Sequence, residues 1–146
     1  MDDVDRILVS SLVQDARMSL KALARASGLS SPSVSERLRR LEEKGVITGY
    51  TTTVDPQALG YGLQAIVRIR PLPGQLHNVE RQIQAIPQFT ECDKITGEDC
   101  FVARLSARSM AELDGILDTL ADRAQTNTAI VKSTPVARRL PPLPER

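Results

Sequence analysis

Aromatic side chains are nearly missing from this sequence: two Tyr, two Phe and no Trp occur in 146 residues. A core cannot rest on large rings here, so packing must come from Leu, Ile, Val and Ala. Each folded unit would then bury a thin core, for which self-association is a natural supplement. Histidine occurs once and cysteine twice. His77 has no second His and no Cys beside it, which leaves little for a metal site or for acid–base chemistry. Cys92 and Cys100 form no metal-like cluster, and such sparse cysteine points to a reducing, cytoplasmic setting. No apolar run approaches membrane-spanning length, and the acidic N-terminus is no signal peptide, so no membrane partner is expected. There is also no nucleophile–base pair and no phosphate-binding glycine loop. No enzyme activity and no cofactor are expected.

An excess of one charge is lacking as well, with a formal net charge of +1. The distribution says more than the sum. Asp2, Asp3, Asp5 and Asp15 crowd the N-terminal segment, whereas Arg37, Arg39, Arg40 and Lys44 crowd one later stretch. A local basic face suffices for phosphate contacts, and near-neutral overall charge suits a protein that self-associates.

The apolar spacing predicts three helices at the start of the chain. Asp2 or Asp3 caps the first, with Val4, Ile7, Leu8 and Leu12 on its apolar face. Ser19 caps the second, with Leu20, Leu23 and Ala24 inward. Gly28 permits a sharp turn, Ser30 or Ser31 with Pro32 opens the third helix, and Gly45 ends it. Val34, Leu38 and Leu41 recur there at helical spacing. Residues 46–54 are β-prone and broken by Gly49, as in the hairpin of a winged helix-turn-helix.

A Pro- and Gly-containing linker at 55–62 separates this unit from a second one. Leu63, Ala65, Val67 and Ile69 alternate with polar neighbours in a strand ending at Pro71. Leu76, Val79, Ile83 and Ile86 mark a helix that Pro87 terminates. Residues 89–96 and 100–106 read as strands joined by a turn at Gly97, Glu98 and Asp99. Ser109 and Glu112 form a capping box, behind which Met110, Leu113, Ile116, Leu117 and Leu120 are expected to be buried. Residues 126–134 form a last strand, and a Pro-rich tail at 135–146 stays loose. The order strand, helix, strand, strand, helix, strand is the ferredoxin-like βαββαβ pattern. The expected fold is therefore α+β: a winged helix-turn-helix at 1–54, the linker at 55–62, a ferredoxin-like αβ sandwich at 63–134, and the tail. One face of such a sheet has no cover in this chain, and a second copy is the cheapest one.

Ser33, Arg37, Arg40 and Lys44 fall on one flank of the third helix. A short basic helix is commonly just a solvated surface. Here the small Ala24 at the helix crossing, Gly28 four positions on, and the packing pair Val34 and Leu38 describe a helix-turn-helix, whose second helix enters the DNA major groove. Ser33 and Arg37 are placed to reach base edges, Arg40 and Lys44 to grip phosphates, and Ser31 with the helix N–H groups to add a phosphate contact.

With these motifs the chain resembles the Lrp/AsnC, or feast/famine, family of transcription regulators. The resemblance rests on Asp5-Arg6-Ile7-Leu8, Gly28-Leu29-Ser30, Val34-Ser35-Glu36-Arg37 with Arg39-Arg40-Leu41-Glu42, and Gly45-Val46-Ile47. It continues in Thr96-Gly97-Glu98-Asp99 and Thr126-Asn127-Thr128-Ala129-Ile130-Val131. It implies a regulator of double-stranded DNA whose dimers gather into tetramers, octamers or larger discs, modulated by an amino acid or related metabolite. By the same resemblance the effector pocket draws on Gly97, Glu98, Asp99 and Cys100, with Thr126 and Thr128 approaching it. Turn N–H groups suit a carboxylate, and side-chain oxygens suit an ammonium. Many members carry a carboxylate where Cys100 stands, so Asp99 and Glu98 must substitute.

Two other functions fit less of the sequence. One is an architectural DNA-binding protein without an effector; the other is a metabolic enzyme subunit built on the ferredoxin-like half. A redox switch is disfavoured by spacing: a hairpin turning at 97–99 sets Cys100 opposite Thr96 and Cys92 opposite Arg104, over about 10 Å apart along the sheet.

Overall fold

The computed structural model of the protein describes residues 1–143. Two compact units emerge, one comprising Met1–Thr53 and the tail from Arg139, the other Val54–Arg138.

In the first unit, local sequence signals set every helix boundary. Helix α1 (Asp3–Gln14) starts at a full capping box: the Asp5 N–H donates to Asp2 Oδ1 at 2.8 Å, and the Asp2 N–H donates to Asp5 Oδ2 at 3.1 Å. Helix α2 (Leu20–Ser27) is capped by Ser19 and closed by Gly28, whose φ of +71° lies in the left-handed region that glycine enters without a Cβ penalty. Helix α3 (Ser31–Glu43) starts at Ser30, with Pro32 in its first turn. Leu8, Leu23, Ala24 and Val34 make the core of this unit, and Val4, Leu12, Met18, Leu29 and Leu38 pack around it. Ile7 and Leu20, expected inward, stay 40% and 44% exposed. Leu20 is the first residue of α2, so its side chain points back over the preceding turn rather than onto the helix crossing.

The expected hairpin at 46–54 does not form as paired strands. The reason is local: the N–H groups of Val46 and Ile47 both donate to Leu41 O, at 2.9 and 3.1 Å, closing the end of α3 instead of starting a ladder. The segment runs beside α1, and Val9, Leu12, Val13, Val46, Ile47 and Tyr50 enclose an apolar groove of about 350 Å³. Leu140 from the tail also lines that groove. The tail has no regular helix or strand in its described part, and residues 144–146 of that expected segment lie outside the described residues.

In the second unit the linker contains a single 3₁₀ turn, Gln57–Leu59. Beyond it come β1 (Leu63–Pro71), α4 (Leu76–Ala85), β2 (Phe89–Lys94), β3 (Phe101–Ala107), α5 (Met110–Asp118) and β4 (Ala124–Ile130). The sheet order is β2-β3-β1-β4, with every neighbouring pair antiparallel. Ala65, Val67 and Ile69 of β1 and Phe101, Ala103, Leu105 and Ala107 of β3 are buried with Val79, Ile83, Leu113 and Leu120. Side chains alternate across a strand, so one sheet face meets the helices and the other is open. Met110, expected in this core, is 51% exposed because it begins α5 at the rim. The last strand begins two residues earlier than expected, since Ala124 already pairs with Pro71, and it ends at Ile130 rather than at 134. Ser109 Oγ accepts from the Glu112 N–H at 3.1 Å as expected, but Glu112 answers on the Arg108 N–H at 2.6 Å rather than on the cap residue.

The turn between β2 and β3 is longer than read from sequence, spanning residues 95–100. Lys94 pairs with Phe101 and Cys92 with Ala103, one position from the expected partner Arg104. Cys100 causes the shift: its φ is +60°, and the Phe101 N–H turns back to Asp99 O at 2.7 Å. A three-residue turn about a non-glycine residue with positive φ stores strain.

Candidate nucleic-acid interface and effector cleft

Helix α3 presents its sequence-predicted residues unequally. Ser33 is exposed, and its hydroxyl is 2.8 Å from that of Ser30, the capping residue. Ser30 Oγ also accepts the Ser33 N–H at 3.3 Å, and Pro32 has no N–H to offer. The first turn of α3 therefore presents an anion chiefly with the Ser31 N–H and the serine hydroxyls. Arg40 and Lys44 are exposed, and neither has an ion pair among the described residues. Arg39, in contrast, is held by Glu36 at 2.6 Å and by Glu43, one turn on. The guanidinium of Arg39 holds the Glu36 carboxyl below the usual carboxylate range. Glu42 is engaged too, accepting the Tyr50 hydroxyl at 2.8 Å.

Arg37 is tied inward. Its Nη1 donates to Asp2 Oδ2 at 2.6 Å and to Asp5 Oδ1 at 2.8 Å, and its side chain is only 27% exposed. The Asp5 N–H, followed by Arg37, holds the Asp2 carboxyl below its ordinary value, and the two acids raise that of Arg37. One arginine thus fastens the start of α1 to the middle of α3. The sequence places Arg37 with Ser33 at the base edges; in the structure its guanidinium is engaged by Asp2 and Asp5. A residue 32 positions away supplies the clamp, and helical spacing within α3 could not reveal it.

In the second unit the predicted effector residues divide between the two sheet faces. Gly97 takes a φ of +111° and starts a turn that folds Glu98 and Asp99 over the open face. There Asp99 meets Arg68 Nε at 2.8 Å, and Glu98 meets Arg70 Nη2 at 2.5 Å. Arg68, Arg70, Glu98, Asp99 and Asn127 line an open cleft of about 420 Å³. Asn127 is opposite Arg68 in the β1–β4 register, whereas Thr126 and Thr128 stand opposite Ile69 and Val67 and so belong to the helix-covered face. Cys100 borders the turn, with Sγ 3.9 Å from Glu98 O. Arg68, Arg70 and Asn127 were not singled out from sequence. Their signal was present, since polar residues alternating with Val67 and Ile69 must point away from the core.

Comparison with known proteins agrees with both halves. Residues 64–141 match the Lrp/AsnC ligand binding domain, and residues 1–48 match a winged helix-turn-helix DNA-binding domain. The chain belongs to the Lrp/AsnC family. It is 36% identical to the HTH-type transcriptional regulator LrpA of Mycobacterium tuberculosis over 129 residues, 88% of this chain and 86% of that protein. The solved structure of LrpC from Bacillus subtilis superposes with a TM-score of 0.89 at 30% identity, covering 94% of this chain and 99% of that one. A feast or famine regulatory protein from M. tuberculosis, complexed with L-methionine, superposes with a TM-score of 0.87 at 34% identity, covering 95% and 97%. This Lrp/AsnC protein is thus a helix-turn-helix transcription regulator with an attached ligand-binding domain. Among its described residues, no helix is long and apolar enough to cross a membrane.

Proposed function

We propose that the protein regulates transcription in the cytoplasm by binding specific duplex DNA as a homodimer, or as a tetramer or octamer assembled from such dimers, under control of a free amino acid. It acts by binding and not by catalysis. The single observation behind the DNA assignment is the exposed, unpaired ridge of Arg40 and Lys44 on α3, continuous with the hydroxyls of Ser31 and Ser33. Arg40 and Lys44 take phosphates, Ser33 faces the base edges, and Arg37 keeps α3 in position through Asp2 and Asp5. Self-association follows from the sheet. Its open face carries Ile66 and Val102 between Arg68, Arg104 and Glu91, and it buries that face most simply against a second copy. The effector site lies at the turn of Gly97, Glu98, Asp99 and Cys100, with Thr126 and Thr128 reaching the same end of the sheet from its far side. The amino-acid class is supported by L-methionine in the related regulator.

Mobility-shift titrations over a range of salt test the DNA assignment. Arg40→Ala and Lys44→Ala should each weaken binding to every sequence and lower the salt slope by about one. Ser33→Ala should change preference among sequences more than overall affinity. Wild-type affinity and slope in both cation variants would remove α3 as the interface.

A further inference from the structure

Helix α3 carries an acid in the middle of its cationic outer surface. Ser33, Glu36 and Arg40 follow one another at spacings of three and four residues, so they form one stripe along the helix. All three are exposed, whereas Val34 and Leu41 are buried. Glu36 thus stands one turn beyond the serine assigned to base edges and one turn before the arginine assigned to phosphates.

The Glu36 carboxylate is held in one orientation. Arg39 Nη2 donates to Glu36 Oε1 at 2.6 Å and Arg39 Nε donates to Oε2 at 3.1 Å, a two-point fork. Arg39 is steadied in turn by Glu43. The Glu36 side chain is nevertheless 55% exposed. A carboxylate accepts about four hydrogen bonds, so both oxygens keep room for a further donor. The Arg39 hydrogen bonds, with the charges of Arg39 and Arg40 adding, hold its carboxyl below the usual range, and it is ionised at neutral pH. An exposed pair of this kind adds little to stability, so the fold itself does not call for it.

An ionised acid on a surface that meets phosphates weakens binding to every duplex. What it gains is selectivity, because a group that only accepts can bind only a base edge that donates. In the major groove guanine and thymine offer acceptors, adenine sets its amino group beside the N7 acceptor, and cytosine offers its N4 amino group alone. We propose that Glu36 is a specificity-determining residue, accepting a hydrogen bond from the N4 amino group of one cytosine in each half-site. Arg39 is its positioning residue. This rests on the reading of α3 as the DNA interface, and it adds to Ser33 a base contact that discriminates by charge.

Selection of duplexes from a randomised pool by the full chain tests this. Wild type, Glu36→Gln, Glu36→Ala and Arg39→Ala are compared, with circular dichroism to verify the fold. Wild type should favour cytosine about fivefold over any other base at one position of each half-site. Glu36→Gln should favour adenine there, because an amide both donates and accepts and so matches N7 together with the N6 amino group. Glu36→Ala should favour no base at that position and should bind random duplex more tightly than wild type. Arg39→Ala should keep cytosine with a smaller preference. If Glu36→Ala selects the same bases as wild type at every position, Glu36 reads nothing while α3 stands as the DNA interface. If wild type captures no duplex from the pool, the DNA reading of α3 falls, and the contact assigned here falls with it.

Discussion

Leu23→Ala should disable DNA binding without dissolving the assembly. Leu23 is 1% exposed at the crossing of α2 with α1 and α3, in a core whose other buried members are Leu8, Ala24 and Val34. Truncating a fully buried leucine costs about 2–5 kcal/mol, through lost transfer energy and the residual cavity. A unit of this size, residues 1–53, has a total stability of about 3–8 kcal/mol. The substitution, at about 2–5 kcal/mol, thus removes from about a quarter to all of what holds the three helices together. The sheet core shares no residue with this cluster, so its stability should change little. Urea unfolding followed by circular dichroism should show an early, helix-dominated transition in the variant. Light scattering should report an unchanged assembly, and mobility-shift assays should report affinity reduced in proportion to the unfolded fraction. An unchanged urea midpoint, or loss of the assembly together with DNA binding, would refute the claim of two separate cores.

Two further outcomes follow from the clamp between α1 and α3. Asp5→Asn and Arg37→Ala should both weaken specific DNA binding, each by about fivefold or less, as suits a partly exposed ion pair. If Asp5→Asn tightened binding instead, Arg37 would be a DNA contact held back by the acid. Because the Asp2 carboxyl is depressed in the folded state, its stabilising contribution is complete above the ordinary carboxylate pKa. It should vanish as pH falls through the depressed value, so on acidification at low salt wild type should lose more stability than Asp2→Asn, which has nothing to protonate, and the two should converge in acid. Equal acid sensitivity in wild type and variant would show that the pair does not stabilise the fold.

Most of the architecture was legible because its causes are local. Capping at Asp2, Ser19 and Ser30, the left-handed Gly28, and the alternation of β1 all act within a few residues, and each element formed where those signals stood. Errors gathered where a distant or unfamiliar partner intervened. Residues 46–54 had the composition of a hairpin, but Leu41 O took their first two N–H groups. Cys100 lengthened a turn that composition alone would center on Gly97, and this moved Cys92 one register position.

For function, the chain's residues alone identified a helix-turn-helix, a cationic ridge and a glycine turn, since each depends on spacing along one element. Which cations are available to a ligand was decided only in three dimensions. Arg37 and Arg39 look no different from Arg40 in the sequence; acids from α1 and from adjacent turns of α3 pair with the first two, while the third has no ion pair among the described residues. Likewise, sheet pairing sent Thr126 and Thr128 to one face while bringing Arg68, Arg70 and Asn127 together with Glu98 and Asp99 on the other. Electrostatic pairing acts through space, and only the folded chain fixes which charges meet.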